Sequence, residues 1–194
     1  MNHLIIYAHP SENSFCNAVM QTYQESLVKN NHQVKIRNLY AIKFDPVLSH
    51  SELLDLENGI IGPDVRQEQE LIEWADVVNF IYPMWWSGMP AILKGYVERV
   101  FCEGFAYFYT ENGSMGLLTG KKVLIFSTMG NVELCDKQHG ILEAVKAIEN
   151  NSIFDYCGME VIKHKFIKGI TCKTYDERLK VLEHVRRIVP RFFS

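Results

Sequence analysis

Five short strand-like segments alternate with amphipathic helical segments along this chain, and that alternation constrains the fold more than any other feature. The strand-like segments are short and rich in apolar residues, whereas the segments between them repeat apolar residues at helical spacing. The predicted strands cover residues 4–8, 34–39, 76–82, 121–127 and 159–167. The first predicted helix has Ser14 as its N-cap, and later helices cover about residues 65–74, 90–102, 138–150 and 175–188. Residues 44–63 predict a long loop with room for one short helix.

A regular order of strand and helix indicates a parallel sheet that is covered by helices on both faces. With 194 residues, the chain is long enough for one domain over residues 1–194 with a well-buried core. Five strands at this length fit an α/β fold, a flavodoxin-like doubly wound five-stranded parallel sheet. Such sheets bind ligands beyond the carboxyl ends of the strands, where the strand order reverses. That rule selects three loops, residues 9–14, 83–88 and 128–136.

Charge and cysteine content disfavour several classes of protein. A formal net charge of −3 argues against a nucleic-acid partner and against a polybasic membrane anchor. No apolar stretch is long enough to span a bilayer, and the first apolar run is too short for a signal peptide, so we expect no membrane insertion. The five cysteines are odd in number and include no C-x-x-C pair, which favours reduced thiols in a cytoplasmic protein.

The first selected loop leads into a helix N-terminus, which is a favourable place for a phosphate group. Such an end presents unpaired N–H groups and a partial positive charge. Ser14 offers a hydroxyl group and His9 a ring nitrogen, although a plain N-cap explains Ser14 equally well. The chain has no G-x-G-x-x-G after the first strand, no correctly spaced P-loop, no G-x-S-x-G elbow and no metal-binding histidine pattern.

Two adjacent tryptophans, Trp85 and Trp86, occupy the second loop directly after a central strand that ends near Pro83. One interpretation is that they anchor the next helix to the core, since large aromatic side chains dominate burial. Their position beyond a strand end, however, is where this fold binds ligands. Indole rings beside backbone N–H groups suit a flat heteroaromatic ring with polar edges, such as the isoalloxazine of a flavin.

The segment P-M-W-W-S-G-M-P-A-I-L-K-G, residues 83–95, resembles the flavin-binding loop of the NAD(P)H:quinone oxidoreductases. The resemblance continues through E-R-V-F at residues 98–101 and F-A-Y-F-Y at residues 105–109. Upstream, A-H-P at residues 8–10 followed by Ser14-Phe15 resembles that family's phosphate loop. The family includes mammalian and bacterial quinone reductases and small flavoproteins attached to potassium efflux systems. The resemblance covers nearly the whole chain.

This resemblance implies the site residues and the cofactor. His139 matches the position of a catalytic histidine, although its usual partner tyrosine is not preserved. Tyr107 and Tyr109 match residues that line the substrate pocket from across a dimer interface, with ordinary packing of a turn as the alternative. The expected cofactor is FAD, with FMN as the alternative, and NADH or NADPH is the electron donor. The implied cofactor-binding residues are His9, Ser14, Phe15, Cys16, Gln69, Pro83, Met84, Trp85, Trp86, Ser87, Ser127, Thr128, Met129 and Gly130.

The resemblance also implies a reaction. Hydride passes from NAD(P)H through the flavin to a quinone-type acceptor in a ping-pong cycle, within a homodimer that has the flavin near its interface. An accessory or regulatory flavoprotein of a potassium efflux system would use the same site, and the sequence leaves that alternative open. A one-electron carrier of the flavodoxin type is disfavoured, because the chain lacks a hydroxyl-rich phosphate loop and a strongly acidic composition.

Overall fold

A computed structural model describes residues 1–130 and 140–193. Within these residues the chain forms a five-stranded parallel sheet and a separate two-stranded antiparallel hairpin. The strands are β1 (Asn2–Tyr7), β2 (Gln33–Asn38), β3 (Val77–Pro83), β4 (Tyr107–Thr110), β5 (Gly113–Gly116), β6 (Lys122–Thr128) and β7 (Glu160–Ile167). The sheet order is β2-β1-β3-β6-β7, which confirms the expected flavodoxin-like, doubly wound fold.

Helices pack on both faces of the sheet, as the alternation of elements predicts. They are α1 (Phe15–Lys29), α2 (His50–Glu57), α3 (Pro63–Trp74), α4 (Ala91–Val100), α5 (Ile141–Lys146), α6 (Tyr175–Arg186) and α7 (Ile188–Phe192). Successive residues of β1 point to opposite faces, so Leu4 and Ile6 join one buried cluster while Ile5 and Tyr7 join the other. No helix in the described part of the chain is long and apolar enough to cross a bilayer.

Most predicted boundaries agree with the structure to within a few residues. Ser14 caps α1 as expected, because its side chain accepts a hydrogen bond from the Asn17 amide. Pro90 is the N-cap of α4 rather than its first helical residue. The predicted helix over residues 138–150 is described from Ile141, and it continues beyond α5 as a π-helix, Ala147–Asp155. Helix α2 is the short helix for which the predicted long loop left room.

The hairpin of β4 and β5 lies between α4 and β6 and was not predicted. Its side chains are mostly exposed on both faces, so the sequence carries no alternation of apolar and polar residues to mark it. Gly113 has φ = +124°, a value that L-residues rarely adopt, and this glycine therefore allows the turn. A backbone hydrogen bond from the Leu118 amide to the Cys157 carbonyl holds the chain that leaves the hairpin.

A substitution at Gly95 tests how closely α4 packs against the loop before α2. An added Cβ atom would overlap the Pro46 backbone and side chain, so Gly95→Ala forces the loop outward. We expect the substitution to lower the free energy of unfolding by about 1–3 kcal/mol. In an exposed helix interior the same change would instead raise it by about 1 kcal/mol. Chemical denaturation measures the difference, with the exposed Glu98→Ala in the same helix as the control; a stabilised Gly95→Ala protein would contradict this packing.

Candidate functional site

The three loops selected from the sequence follow β1, β3 and β6 at the same edge of the sheet. Tyr7 pairs with Ile81, and Pro83 pairs with Thr128, so the three strands end at nearly the same level. The Met84 amide donates to the Thr128 carbonyl at 2.8 Å, which ties the loop after β3 to the end of β6. The backbone alone therefore brings the predicted loops together.

The loop after β3 reverses the chain in one tight turn over residues 85–88. The Trp85 amide donates to the Gly88 carbonyl at 3.1 Å, and the Gly88 amide donates back to the Trp85 carbonyl at 3.1 Å. The two central residues, Trp86 and Ser87, have φ values of +50° and +59°. Positive φ at both central positions defines a type I′ turn, which strongly favours Asn-Gly rather than two ordinary L-residues.

This turn is strained and turns its polar groups outward. A left-handed conformation costs an ordinary L-residue about 1–2 kcal/mol. Among the described residues, no acceptor binds the amide groups of Trp86 and Ser87. Trp85 is 43% exposed and Trp86 is fully exposed, so the alternative that both tryptophans anchor the core is wrong. Strain with exposed aromatic rings and free N–H groups is typical of a binding loop.

The turn of residues 85–88 is called the tryptophan turn below. The first loop brings His9 beside it. The His9 and Trp85 ring centroids are 5.8 Å apart, with the planes tilted by 56°. The Ser11 amide donates to His9 Nδ1 at 3.0 Å, which leaves Nε2 as the nitrogen that carries hydrogen in the neutral ring. Partial burial lowers the pKa of His9, so the ring is neutral near pH 7 and offers Nε2–H as a donor.

Helix α1 presents its N-terminus at the same edge. Ser14 Oγ accepts from the Asn17 amide at 3.1 Å and lies 3.4 Å from the Tyr7 hydroxyl group. The amides of Phe15 and Cys16 have no acceptor within the described ranges, so they face outward with the positive end of the helix dipole. The Cys16 side chain is buried, and burial raises its pKa to about 12, so the thiol stays protonated inside the protein and the backbone amide is the group available to a ligand.

The third loop is described only as far as Gly130. Ser127, Thr128 and Met129 are buried, and the Met129 amide donates to the Ile167 carbonyl at 2.8 Å. The Gly130 carbonyl accepts from the Thr171 hydroxyl at 2.7 Å. His139 lies outside the described residues, so its predicted catalytic role stays a prediction.

Gln69 lies apart from the three loops. Its side chain is fully buried, and its amide nitrogen donates to the Val100 carbonyl at 3.2 Å and to Cys102 Sγ at 3.3 Å. These partners are at the end of α4 and just beyond it, so the structure does not bring Gln69 to the tryptophan turn. Its Oε1 atom has no hydrogen-bond partner among the described residues, and its predicted contact with the tail of a flavin stays a prediction.

Tyr107 and Tyr109 lie on β4, with their ring centroids 5.5 Å apart. Together with Tyr156, whose ring is 5.2 Å from that of Tyr107, they line a cavity of about 290 Å³. Tyr109 is exposed, as are Phe108 and Met115 nearby on the hairpin. This apolar surface is larger than the packing of a single turn needs.

A buried polar cluster lies behind the strand ends, and sequence analysis did not find it. Tyr82 donates its hydroxyl hydrogen to Glu149 Oε2, and Ser127 Oγ lies 3.0 Å from His164 Nε2. His164 Nε2 is also 3.7 Å from Glu149 Oε2, and its Nδ1 lies 2.9 Å from Asn150 Oδ1. Glu149 and Asn150 come from the π-helix, so no regular helical spacing could have indicated that they reach the sheet.

Burial controls the charge of this cluster. Desolvation raises the pKa of Glu149 to about 7, although the hydrogen bond from Tyr82 opposes the shift. Desolvation, with a smaller contribution from Lys146, lowers the pKa of His164 to about 4. The same effect raises the pKa of Tyr82 well above its ordinary value. Near neutral pH the cluster therefore contains a neutral imidazole, a protonated phenol and a carboxyl group close to its midpoint.

Comparisons with known proteins agree with this architecture. The model of a family described by its flavodoxin-like fold matches residues 1–189. An uncharacterized NAD(P)H oxidoreductase of Haemophilus influenzae is 43% identical over 172 residues, which cover 88% of this chain and 85% of that protein. NAD(P)H dehydrogenase (quinone) 1 of Rattus norvegicus is 33% identical over 93% of this chain and 73% of its own length.

A solved structure of the same class of enzyme is also similar to this chain. The NAD(P)H:quinone oxidoreductase from Methanothermobacter marburgensis is 30% identical and superposes with a TM-score of 0.86, over 96% of this chain and 94% of that one. The chain therefore belongs to the flavodoxin-like family, in the group of the NAD(P)H:quinone oxidoreductases.

Replacing Ser87 tests the strain in the tryptophan turn. Ser87→Gly removes the cost of a left-handed L-residue, so we expect the protein without ligand to gain about 0.5–1 kcal/mol of unfolding free energy. Ser87→Val adds a β-branched side chain at the same φ, and we expect it to lose about 1–2 kcal/mol. Thermal denaturation of both variants beside the unaltered protein measures the two changes. Equal effects of glycine and valine would show that the turn is unstrained.

Proposed function

We propose that this protein is a flavin-dependent NAD(P)H:quinone oxidoreductase that transfers two electrons as hydride in a ping-pong cycle. The observation that carries the proposal is the strained turn at residues 85–88, with its exposed indoles and two free amides at the topological switch point. A flat ring with polar edges satisfies both features at once. The relatives that carry quinone reductase names support the acceptor class.

The described residues fit a flavin at this edge. The amides of Trp86 and Ser87 would donate to the polar edge of the isoalloxazine, and one indole would lie against its apolar face. His9 Nε2–H and the outward amides of Phe15 and Cys16 would hold the phosphate groups. The contacts that the resemblance implies for Gln69 and for the residues of the third loop, Ser127, Thr128, Met129 and Gly130, remain part of the proposal. We favour FAD over FMN because the resemblance points to FAD.

When bound, the flavin would accept hydride from a nicotinamide and pass it to the acceptor. The chain's own contribution is to position the reactants and to exclude water. The main-chain bond from Met84 to Thr128 fixes the loop before any ligand arrives, which reduces the ordering needed on binding. Backbone N–H groups aimed at a fixed point stabilise negative charge that develops there. His139 keeps its proposed place as a further donor beside that point.

We also propose that the active form is a homodimer in the cytoplasm. The hairpin exposes Phe108, Tyr109 and Met115 together, and a second copy of the chain would cover them. Tyr109 would then face the site of the partner subunit rather than solvent. The described cysteines are all free thiols, which suits a reducing compartment.

The first experiment is a spectrum of the purified protein and a turnover assay. We expect a yellow protein with flavin absorbance, whose released cofactor has the mass of FAD, and which oxidises NADH or NADPH with menadione as acceptor. Because an expression host supplies flavin of its own, the apoprotein should also be reconstituted separately with FAD and with FMN. A protein that binds neither flavin would overturn the proposed function.

A second prediction concerns the tyrosines of the hairpin. Tyr109→Ala should raise the KM for menadione by about 10-fold, since loss of one aromatic contact costs about 1–1.5 kcal/mol. Its melting temperature should change little because the side chain is exposed. Tyr175→Ala, which removes another exposed tyrosine at the start of α6, is the matched control. If both variants behave alike, Tyr109 does not contact the acceptor.

A further inference from the structure

Positive charge is concentrated in the last part of this chain. Residues 160–194 contain nine lysine and arginine residues but four aspartate and glutamate residues, whereas the whole chain has 20 basic and 23 acidic residues. The segment therefore carries an excess of positive charge within a protein whose formal net charge is −3. Such an asymmetry indicates a surface that attracts negatively charged molecules.

This segment also lines a cavity of about 430 Å³ between β7 and α6. Lys165 belongs to β7, and Lys180 and His184 belong to α6. Lys168 and Lys173 belong to the connection between these two elements. The five residues are called the basic groove. The cations thus reach one cavity from a strand, a helix and the connection that joins them.

The backbone explains why these side chains converge. Ile167 packs in the buried cluster that contains Val185 of α6, and Lys165, two residues earlier in the same strand, points to the same face of the sheet. Lys180 and His184 are four residues apart, so they lie on one face of α6. The regular geometry of β7 and α6 therefore aims both sets of side chains at the space between them.

No carboxylate neutralises the lysines of the groove within the described part of the chain, where none of the four belongs to an ion pair. Glu177 on α6 is nearby, but its carboxylate accepts hydrogen bonds from the Thr174 amide and hydroxyl group as part of the helix cap. Lys168 and Lys180 are exposed, and Lys165 and Lys173 are half-buried. The groove therefore combines positive charge with access from solvent.

Like charges oppose one another in the groove when no ligand is bound. Burial, followed by the repulsion from Lys163 and Lys168, lowers the pKa of Lys165. Burial, followed by the repulsion from four neighbouring cations, lowers the pKa of His184, so this ring is neutral near pH 7. A cleft lined by charges of one sign focuses the electrostatic field, and an anion bound there relieves the repulsion.

Lysines on an edge strand also have a plainer explanation, because they discourage pairing with other chains. Strand β7 is the last in the sheet order, and it carries Lys163 and Lys165. Protection of the edge does not explain why Lys173, Lys180 and His184 line the same cavity from outside the strand. Their convergence on one cavity is the feature that indicates a binding site.

We propose that the basic groove binds a small phosphate-bearing ligand with at least two negative charges. The cavity volume is in the range of small-molecule sites. Lysine ammonium groups bind phosphate as point charges from several directions, and a ligand with one negative charge would leave most of the repulsion in place. No residue that lines the cavity belongs to the three loops of the proposed flavin site, so this is a separate site.

The geometry favours a small ligand over a macromolecule. A nucleic acid or an acidic peptide extends across a surface and is matched by a row of cations along its path. Here the cations instead surround a single cavity between one strand and one helix. The ligand is therefore a free polyphosphate or a phosphate ester of a small molecule, which share the same charged groups.

The main test is calorimetric titration of the purified protein with pyrophosphate at low salt. We expect one equivalent to bind. Replacing both Lys165→Gln and Lys180→Gln should weaken its affinity by at least about 10-fold, because each residue supplies a charge-assisted hydrogen bond. The double variant Lys29→Gln with Lys43→Gln removes the same charge from exposed positions elsewhere and should bind normally. Equal weakening in both double variants, or no binding to the unaltered protein, would overturn the proposal.

Fructose 1,6-bisphosphate, titrated in the same way, distinguishes the two sources of the phosphate groups. Tighter binding than that of pyrophosphate would support a phosphate ester, and weaker binding would support a free polyphosphate. Both affinities should fall as the sodium chloride concentration rises from 50 to 500 mM, since the screening length shortens with ionic strength. Affinities that ignore salt would contradict a site built from unpaired lysines.

Chemical labelling gives a readout that needs no variant. Saturating pyrophosphate should slow the acetylation of Lys165 and Lys180 several-fold, because the ligand covers their ammonium groups. The exposed Lys29 and Lys43 should react at the same rate with and without pyrophosphate. Mass spectrometry of the digested protein measures each lysine separately. If pyrophosphate protects no lysine of the groove, the site is wrongly assigned even when the variants fail to fold.

The remaining controls separate this site from the flavin site and from macromolecular partners. Saturation with FAD before the titration should leave the affinity for pyrophosphate unchanged, whereas competition would place pyrophosphate in the flavin loops and overturn the proposal. A glutamate-rich peptide or a DNA oligonucleotide that binds the groove more tightly than both phosphate probes would also overturn it. A protein that binds no flavin contradicts the proposed function alone, since the titrations with pyrophosphate do not require a flavin.

Discussion

The parallel pairing of β3 with β1 on one side and with β6 on the other determines the position of every group in the site. Strand β3 is buried along its whole length and ends at Pro83, opposite Thr128. Because the three strands end at one level, their loops leave the sheet together. The amides of Ala8 and Met84 continue this pairing beyond the regular strands. The loop geometry therefore depends on main-chain bonds, and the loop side chains are free to serve a ligand.

The main-chain bonds at the strand ends allow the tryptophan turn to keep a strained conformation. Trp86 and Ser87 adopt a conformation that local sequence preference opposes, and the rigid strand ends hold them there. A glycine-containing turn of the same shape would cost less free energy. The chain instead keeps two large exposed rings and two free amides at the switch point. A local conflict of this kind, at the place where the fold binds ligands, is better explained by function than by stability.

The cluster of Tyr82, Ser127, Glu149 and His164 is a second conflict, and it lies within the sheet layer. Burying these groups costs free energy that apolar residues of similar size would not require. Hydrogen bonds among them, and one between His164 and Asn150, offset part of that cost, and Glu149 Oε1 has no partner among the described residues. The cluster adjoins both the strand ends and a cavity beside the tryptophan turn. Groups with strongly shifted pKa values occur more often at functional sites than elsewhere in a fold.

The sequence by itself determined the order of the elements, the parallel sheet and the three loops at its edge, since periodicity and chain alternation act locally. The resemblance in residues 83–95 then identified the family. Only the tertiary structure decided that both tryptophans are exposed, that the Gln69 side chain bonds to the end of α4 and that Glu149 reaches the sheet. The hairpin and the π-helix also escaped prediction. The physical reason is the same in each case, because burial and left-handed turns depend on packing that no local pattern encodes. The contact between Tyr82 and Glu149, for example, joins residues that are 67 positions apart in the chain.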